Sequence, residues 1–128
     1  DLDHFKLIND QHGHLTGDEV LTCFSNIVQD RIRKTDKLCR YGGEEFLLML
    51  KDSKKEEAEL LIDDIRERLK AHSKWNTTDA SLVVNFSAGI VESNTHAKLD
   101  ALIDQCDKLL YYAKSNGRAQ TVVATFGS

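Results

Sequence analysis

The chain has 128 residues, 41% of them apolar and 30% charged, which is enough for one compact domain to bury a core without disulfide or metal staples. Seventeen Lys and Arg against 21 Asp and Glu leave a net charge of −4, a poor match for a polyanionic duplex, so polymeric nucleic acid is excluded as the natural partner. No apolar run approaches the roughly eighteen residues a membrane span needs, and Cys23, Cys39 and Cys106 are scattered without C-x-x-C spacing, which points to a reducing, cytoplasmic setting.

Taken in chain order, residues 1–5 read as the end of a strand. Val20, Leu21, Phe24, Ile27, Val28 and Ile32 form one face of a helix, with Thr16 and Glu19 as a capping box at its start. Residues 37–41 and 44–50 flank Gly42-Gly43 and predict a hairpin closed by a two-residue type I′ turn. Ser53 and Glu56 suggest a second capping box, opening a helix whose apolar face is Ala58, Leu61, Ile62, Ile65 and Leu69. The charges around it, Arg66 among them, read as a solvated face. Trp75, in a polar connection with Lys74, Asn76 and Thr77, reads as cover for a sheet edge. Residues 82–91 alternate as a strand, and Leu99, Leu102, Ile103, Cys106, Leu109, Leu110 and Ala113 mark a third helix that Asn116-Gly117 stops. Residues 121–126 are a β-branched run that closes the sheet. The order predicts a single α+β domain over residues 1–128, a mixed sheet covered mainly on one face by helices.

The chemistry-bearing residues gather at two places. Asp1 and Asp3, two apart on a strand end, and Glu44-Glu45, directly after the glycine pair, supply oxygen ligands of the kind a hard cation takes. Each pair alone is ordinary for exposed strand ends; their joint placement beside a glycine-lined tip is less so. Gly42 and Gly43 remove side chains where a ligand could approach the backbone, although a tight turn asks for the same residues. Lys6 can neutralise phosphate, and Asn9 and Asp18 can read a purine edge, while Asp18 also suits the start of a helix. His12 and His14 form an H-x-H without a third ligand at suitable spacing, so zinc is not predicted.

Five ordered blocks carry a family resemblance: Asp1 to Asp10 (DLDHFKLIND), Gly13-His14, Gly17-Asp18-Glu19, Arg40 to Phe46 (RYGGEEF) and Ala113 to Arg118 (AKSNGR). Together they resemble the GGDEF family of diguanylate cyclases over nearly the whole chain. The resemblance implies a palm-like, largely antiparallel mixed sheet of the nucleotidyl cyclase type, here without the family's N-terminal helix and most of its first core strand. It implies an Mg²⁺-dependent (or Mn²⁺-dependent) nucleotidyltransferase that condenses two GTP into cyclic di-GMP and releases pyrophosphate, working as a homodimer. Asp1, the Leu2 carbonyl and Glu44 would bind metal. Glu44 would also accept the proton of the attacking 3′-hydroxyl, Glu45 would assist, and Lys6 would stabilise the transferring phosphoryl.

By the same resemblance, Asn9, His14 and Asp18 would hold the guanine and ribose end, Gly42 and Gly43 would line the site, and Lys114 and Arg118 would reach the β and γ phosphates. Arg33 and Asp36 match the family's R-x-x-D inhibitory site for cyclic di-GMP. The family is cytoplasmic as a domain, its parent chains carry sensor or receiver domains, and some are membrane-anchored. The competing expectation is a non-catalytic module that binds cyclic di-GMP or GTP; an intact Glu44 with Lys6 favours the enzyme, since a receptor has no physical need of either.

Overall fold

A computed structural model of the chain describes residues 1–72, 74–75, 82–93 and 96–126. The elements follow in the order α1 (Phe5–His12), α2 (His14–Arg31), β1 (Lys37–Arg40), β2 (Phe46–Met49), α3 (Lys55–Ala71), β3 (Ala88–Glu92), α4 (Leu99–Ser115) and β4 (Thr121–Thr125). β1 and β2 pair antiparallel, with Lys37 opposite Met49 and Arg40 opposite Phe46. β3 and β4 pair parallel, Ala88 opposite Thr121 and Glu92 opposite Thr125, with α4 as the crossover that a parallel pair requires.

The opening segment stitches these two ladders together. On one edge Leu2 forms an antiparallel bridge with Phe86, the Asp3 amide donates to the Asn85 carbonyl (3.0 Å) and the Ser87 amide to the Asp1 carbonyl (2.9 Å). On the other edge the Leu2 amide donates to the Glu44 carbonyl (3.1 Å). Burial explains why this short segment holds its place. Leu2 is 3% exposed and sits in a core with Val20, Phe24 and Val28 of α2, Ile65 and Leu69 of α3, and Val84 and Phe86. The Phe24 ring touches Phe46 (4.8 Å between centroids) and Phe86 (5.4 Å), so one α2 side chain seats both the hairpin and the segment facing Leu2.

Several local expectations change under tertiary forces. α1 is a helix that the apolar pattern does not announce, because Ile8 is its one buried residue. α2 begins at His14 with Gly13, not Thr16, at its N-cap, and Thr16 is buried inside the helix. The Ser53 box is replaced as well: the Lys55 amide at the start of α3 donates to Glu92 Oε1 on β3 (2.6 Å), while the Ser53 hydroxyl accepts from Arg33 (3.0 Å). Arg66 is not on a solvated face. It lies over the Phe86 ring, 4.5 Å from the centroid, and donates to Asn85 Oδ1 (3.2 Å), the Phe86 carbonyl (3.3 Å) and Thr121 Oγ1 (2.7 Å). Of the strand expected over residues 82–91, only residues 88–91 join a ladder beyond the Phe86 bridge, and the ladder continues to Glu92. Trp75 is in the core against His72, and its expected neighbours Asn76 and Thr77 lie outside the described residues.

Candidate active site

Asp1 emerges at the edge of the core, tethered by buried Leu2. Its side chain is 4% exposed; Oδ2 is ion-paired with Lys114 Nζ, and Oδ1 is buried with no hydrogen-bond partner among the described residues. A carboxylate oxygen withdrawn from water with no donor is costly, and such an atom marks a place that a cation completes. The Leu2 carbonyl next to it accepts no backbone hydrogen bond among the described residues. The Leu2–Glu44 backbone bond holds the main chain of half-buried Glu44 next to this segment. Among the described residues no three His, Cys, Asp or Glu side chains cluster as a ready-made cage. Two carboxylates and one carbonyl leave coordination positions for phosphate oxygens, as Mg²⁺ sites on nucleotides do, so these residues fit that ion.

The hairpin tip differs from a two-residue turn. The ladder ends at Arg40 and Phe46, so residues 41–45 form the loop, and neither Gly42 nor Gly43 adopts the left-handed φ that a type I′ turn requires. The loop is held instead by the Tyr41 and Gly42 amides donating to the Glu45 carbonyl (2.8 and 3.2 Å) and by Arg40 donating to the Gly42 and Gly43 carbonyls. A Cβ at Gly43 would meet nothing within 4 Å. The chain's own packing therefore gives no reason for glycine at 43.

The purine-reading candidates are assembled by close approach of α1 and α2. A Cβ at Gly17 would fall 1.8 Å from Asn9 Oδ1, so glycine is what lets the Asn9 amide lie against α2 at Gly17, one residue before exposed Asp18 in sequence. Asp18 sits beyond the first helical turn, which contains no acid, so helix-dipole stabilisation does not account for it. His14 and Lys6 are exposed, and among the described residues neither has a hydrogen bond or ion pair to Asp1 or Glu44. The start of α1 is a feature the sequence did not announce. It has no side-chain cap and no acidic residue in its first turn, leaving amides open to an anion next to Asp1.

α4 ends as expected, the Arg118 amide donating back to the Ala113 carbonyl (3.0 Å) with Gly117 at φ 109°. Lys114 reaches Asp1, and Arg118 is exposed on the turn that follows. Asp3, paired with Asp1 in the sequence pattern, goes elsewhere: it accepts from the Ser87 hydroxyl (2.6 Å) and the Ala119 amide (2.9 Å).

Arg33 and Asp36 form a separate unit at the other end of the hairpin. Asp36 is buried and accepts from Arg33 Nε (3.1 Å), Arg33 NH2 (3.0 Å), the Arg33 amide (2.9 Å) and the Lys51 amide (3.1 Å). The Arg33 guanidinium on its carboxylate, helped by the two amides, outweighs burial and holds the Asp36 pKa down to about 2. Arg33 also donates to the Ser53 hydroxyl and the Lys51 carbonyl. The four-residue ladder places this unit about 13 Å from the glycine loop.

An α+β domain that gathers an acid pair, a lysine and an uncapped helix start around a glycine-rich tip has the parts of a phosphate-handling domain. Residues 1–120 match the family model described as diguanylate cyclase, GGDEF domain. The chain belongs to that family. It is 36% identical over 124 residues to diguanylate cyclase DgcP of Pseudomonas aeruginosa, covering 97% of this chain and 18% of DgcP. Among solved structures it resembles the active GGEEF domain of a diguanylate cyclase from Vibrio cholerae, with a TM-score of 0.83 and 35% identity over 96% of this chain and 78% of that one. A microbial GGDEF domain described in its interaction with cyclic di-GMP is also similar, with a TM-score of 0.80, 26% identity, and coverage of 97% and 74%. The chain spans roughly a fifth to a quarter of the length of the first curated relatives it matches.

Proposed function

We propose that this domain is the catalytic unit of a diguanylate cyclase, joining two GTP into cyclic di-GMP with release of two pyrophosphates. The observation that carries the reading is Asp1: a buried carboxylate with one oxygen on Lys114 and the other unmatched, held one backbone bond from Glu44. A structural acid would have had both oxygens satisfied.

In each half-reaction the 3′-oxygen of one GTP bonds to the α-phosphorus of the other, and the bond from that phosphorus to the bridging oxygen of the β-phosphate breaks. Glu44 takes the hydroxyl proton, with Glu45 beside it at the metal site, and Lys6, Lys114 and Arg118 offset the charge that gathers on the phosphoryl group and the departing pyrophosphate. Asp1, the Leu2 carbonyl and Glu44 would hold Mg²⁺ or Mn²⁺. Such a cation, when bound, polarises the phosphoryl oxygens. The amides opening α1 receive terminal phosphates, Gly42 and Gly43 let the nucleotide lie against the backbone, and Asn9 and Asp18, with His14 nearby, take the guanosine end.

One such site holds one GTP, so ring closure needs a second copy facing the first, and the active form is a homodimer. In the full-length protein an upstream sensor or receiver domain would govern that pairing. No helix among the described residues is long and apolar enough to cross a membrane, which suits a domain working on cytoplasmic GTP, whatever anchors the parent chain. Cyclic di-GMP would inhibit through Arg33, which is the exposed half of its pair; Asp36 already has its oxygens engaged and acts by orienting Arg33.

Incubation of the full-length protein with GTP and Mg²⁺, followed by chromatography, tests the reading. Cyclic di-GMP is expected, with a loss of about a thousandfold or more in Glu44→Ala. A folded dimer that binds GTP and yields no product would shift the function to a binding module.

A further inference from the structure

Asp3 takes no part in the proposed chemistry, yet both of its carboxylate oxygens are engaged, one on Ser87 and one on Ala119. It is buried, so those bonds are made away from water. The Ala119 amide belongs to a turn that local preferences oppose. Gly117, Arg118 and Ala119 have φ of 109°, 60° and 51° in succession, and the left-handed region is disfavoured for residues that carry a Cβ.

The turn's remaining ties are mostly its own. The Arg118 amide returns to Ala113, and the Gln120 side-chain amide donates to the Asn116 carbonyl (2.6 Å) and the Arg118 carbonyl (3.3 Å). Asp3 supplies the bond that fastens this turn to the segment bearing Asp1 and Leu2. The same turn borders an open depression with His4 and Leu7 at the start of α1.

We propose that Asp3 is a positioning residue for Arg118, its buried carboxylate holding the left-handed turn so that the guanidinium is directed to the terminal phosphates of a nucleoside triphosphate. This rests on the reading of Arg118 as a phosphate ligand. Asp1 and Asp3 then divide the work of one motif: the first faces the substrate's metal, the second fixes a cation that arrives from the far end of the chain.

Calorimetric titration with two probes in Mg²⁺ tests it: the α,β-methylene analogue of GTP, which cannot be cleaved at the reacting bond, and GMP, which lacks the phosphates Arg118 would touch. Asp3→Ala is expected to weaken the analogue about tenfold and leave GMP within about twofold, as Arg118→Ala does, and the double variant should bind no worse than Arg118→Ala alone. Equal losses for both nucleotides, or single losses that multiply in the double variant, would overturn the proposal while leaving Arg118 as a ligand. An Arg118→Ala variant with unchanged analogue binding would remove the underlying reading, and the proposal with it.

If Asp3→Ala melts below the titration temperature, Asp3→Asn decides. It keeps an acceptor for the Ala119 amide and can turn its NH₂ to Ser87, so it should bind the analogue within about twofold of the parent. A tenfold loss in that variant, with the fold retained, would contradict the proposal.

Discussion

Asp1 and Asp3 stand two residues apart on one segment, and their surroundings are opposite. Asp3 joins three pieces of the fold, the opening segment, Ser87 and the turn after α4, and both its oxygens are satisfied. Asp1 is just as withdrawn from water but keeps one oxygen bare. Burial therefore does not distinguish the two carboxylates; the completeness of their hydrogen bonding does.

The largest expected effect follows from that contrast. Asp1→Asn should cut cyclic di-GMP formation by about a thousandfold while unfolding free energy changes by less than about 1 kcal/mol, because the lost ion pair is offset by relief of a bare buried charge. A denaturant titration beside the activity assay checks both numbers. A stability loss of about 3 kcal/mol would place Asp1 with Asp3 among the structural acids.

Two glycines extend the same comparison. At Gly89 an added Cβ would lie 2.6 Å from the Cys106 carbonyl oxygen and 2.8 Å from the Leu110 amide nitrogen, backbone atoms of α4 that cannot step aside. Gly89→Ala should therefore lose about 2 kcal/mol or more, measured by chemical denaturation. Gly43→Ala meets no neighbour, so its melting temperature should stay within about 2 °C of the parent while its KM for GTP rises several-fold. A stable Gly43→Ala enzyme with an unchanged KM would show that nothing closes on that backbone.

Much of this was legible before the fold was known, and the limits have physical causes. The helix faces of α2, α3 and α4 follow from apolar periodicity, and the stop at Gly117 from glycine's freedom, without a Cβ, to take a left-handed φ. α1 was hidden because one buried residue makes no period. The Ser53 cap was outbid by Glu92, thirty-seven residues beyond the Lys55 amide it accepts from, and Arg66 was read as surface because charge pattern alone does not show an aromatic ring beneath it. Motif spacing brought Asp1, Glu44 and Lys114 to notice, but only the fold separates Asp3 from Asp1, since strand alternation assigns them one direction.

A smaller effect concerns the Arg33–Asp36 unit. With a folded pKa of about 2 against an ordinary 3.8, Asp36 contributes stability that is complete above pH about 4 and lost as the pH falls toward 2. Thermal melts across that window should decline more steeply for the parent than for Asp36→Asn. Parallel slopes would mean the carboxylate is not held ionised by Arg33.

The most direct measurement is Mn²⁺ binding, followed by electron paramagnetic resonance in the presence of the α,β-methylene analogue of GTP. The account requires that Asp1→Asn and Glu44→Gln each weaken the protein-bound Mn²⁺ signal by tenfold or so, and that the double variant lose little more, because both carboxylates serve one ion. Mn²⁺ affinity that is untouched by Glu44→Gln while Asp1→Asn abolishes it would place the two acids at separate sites and contradict the shared centre.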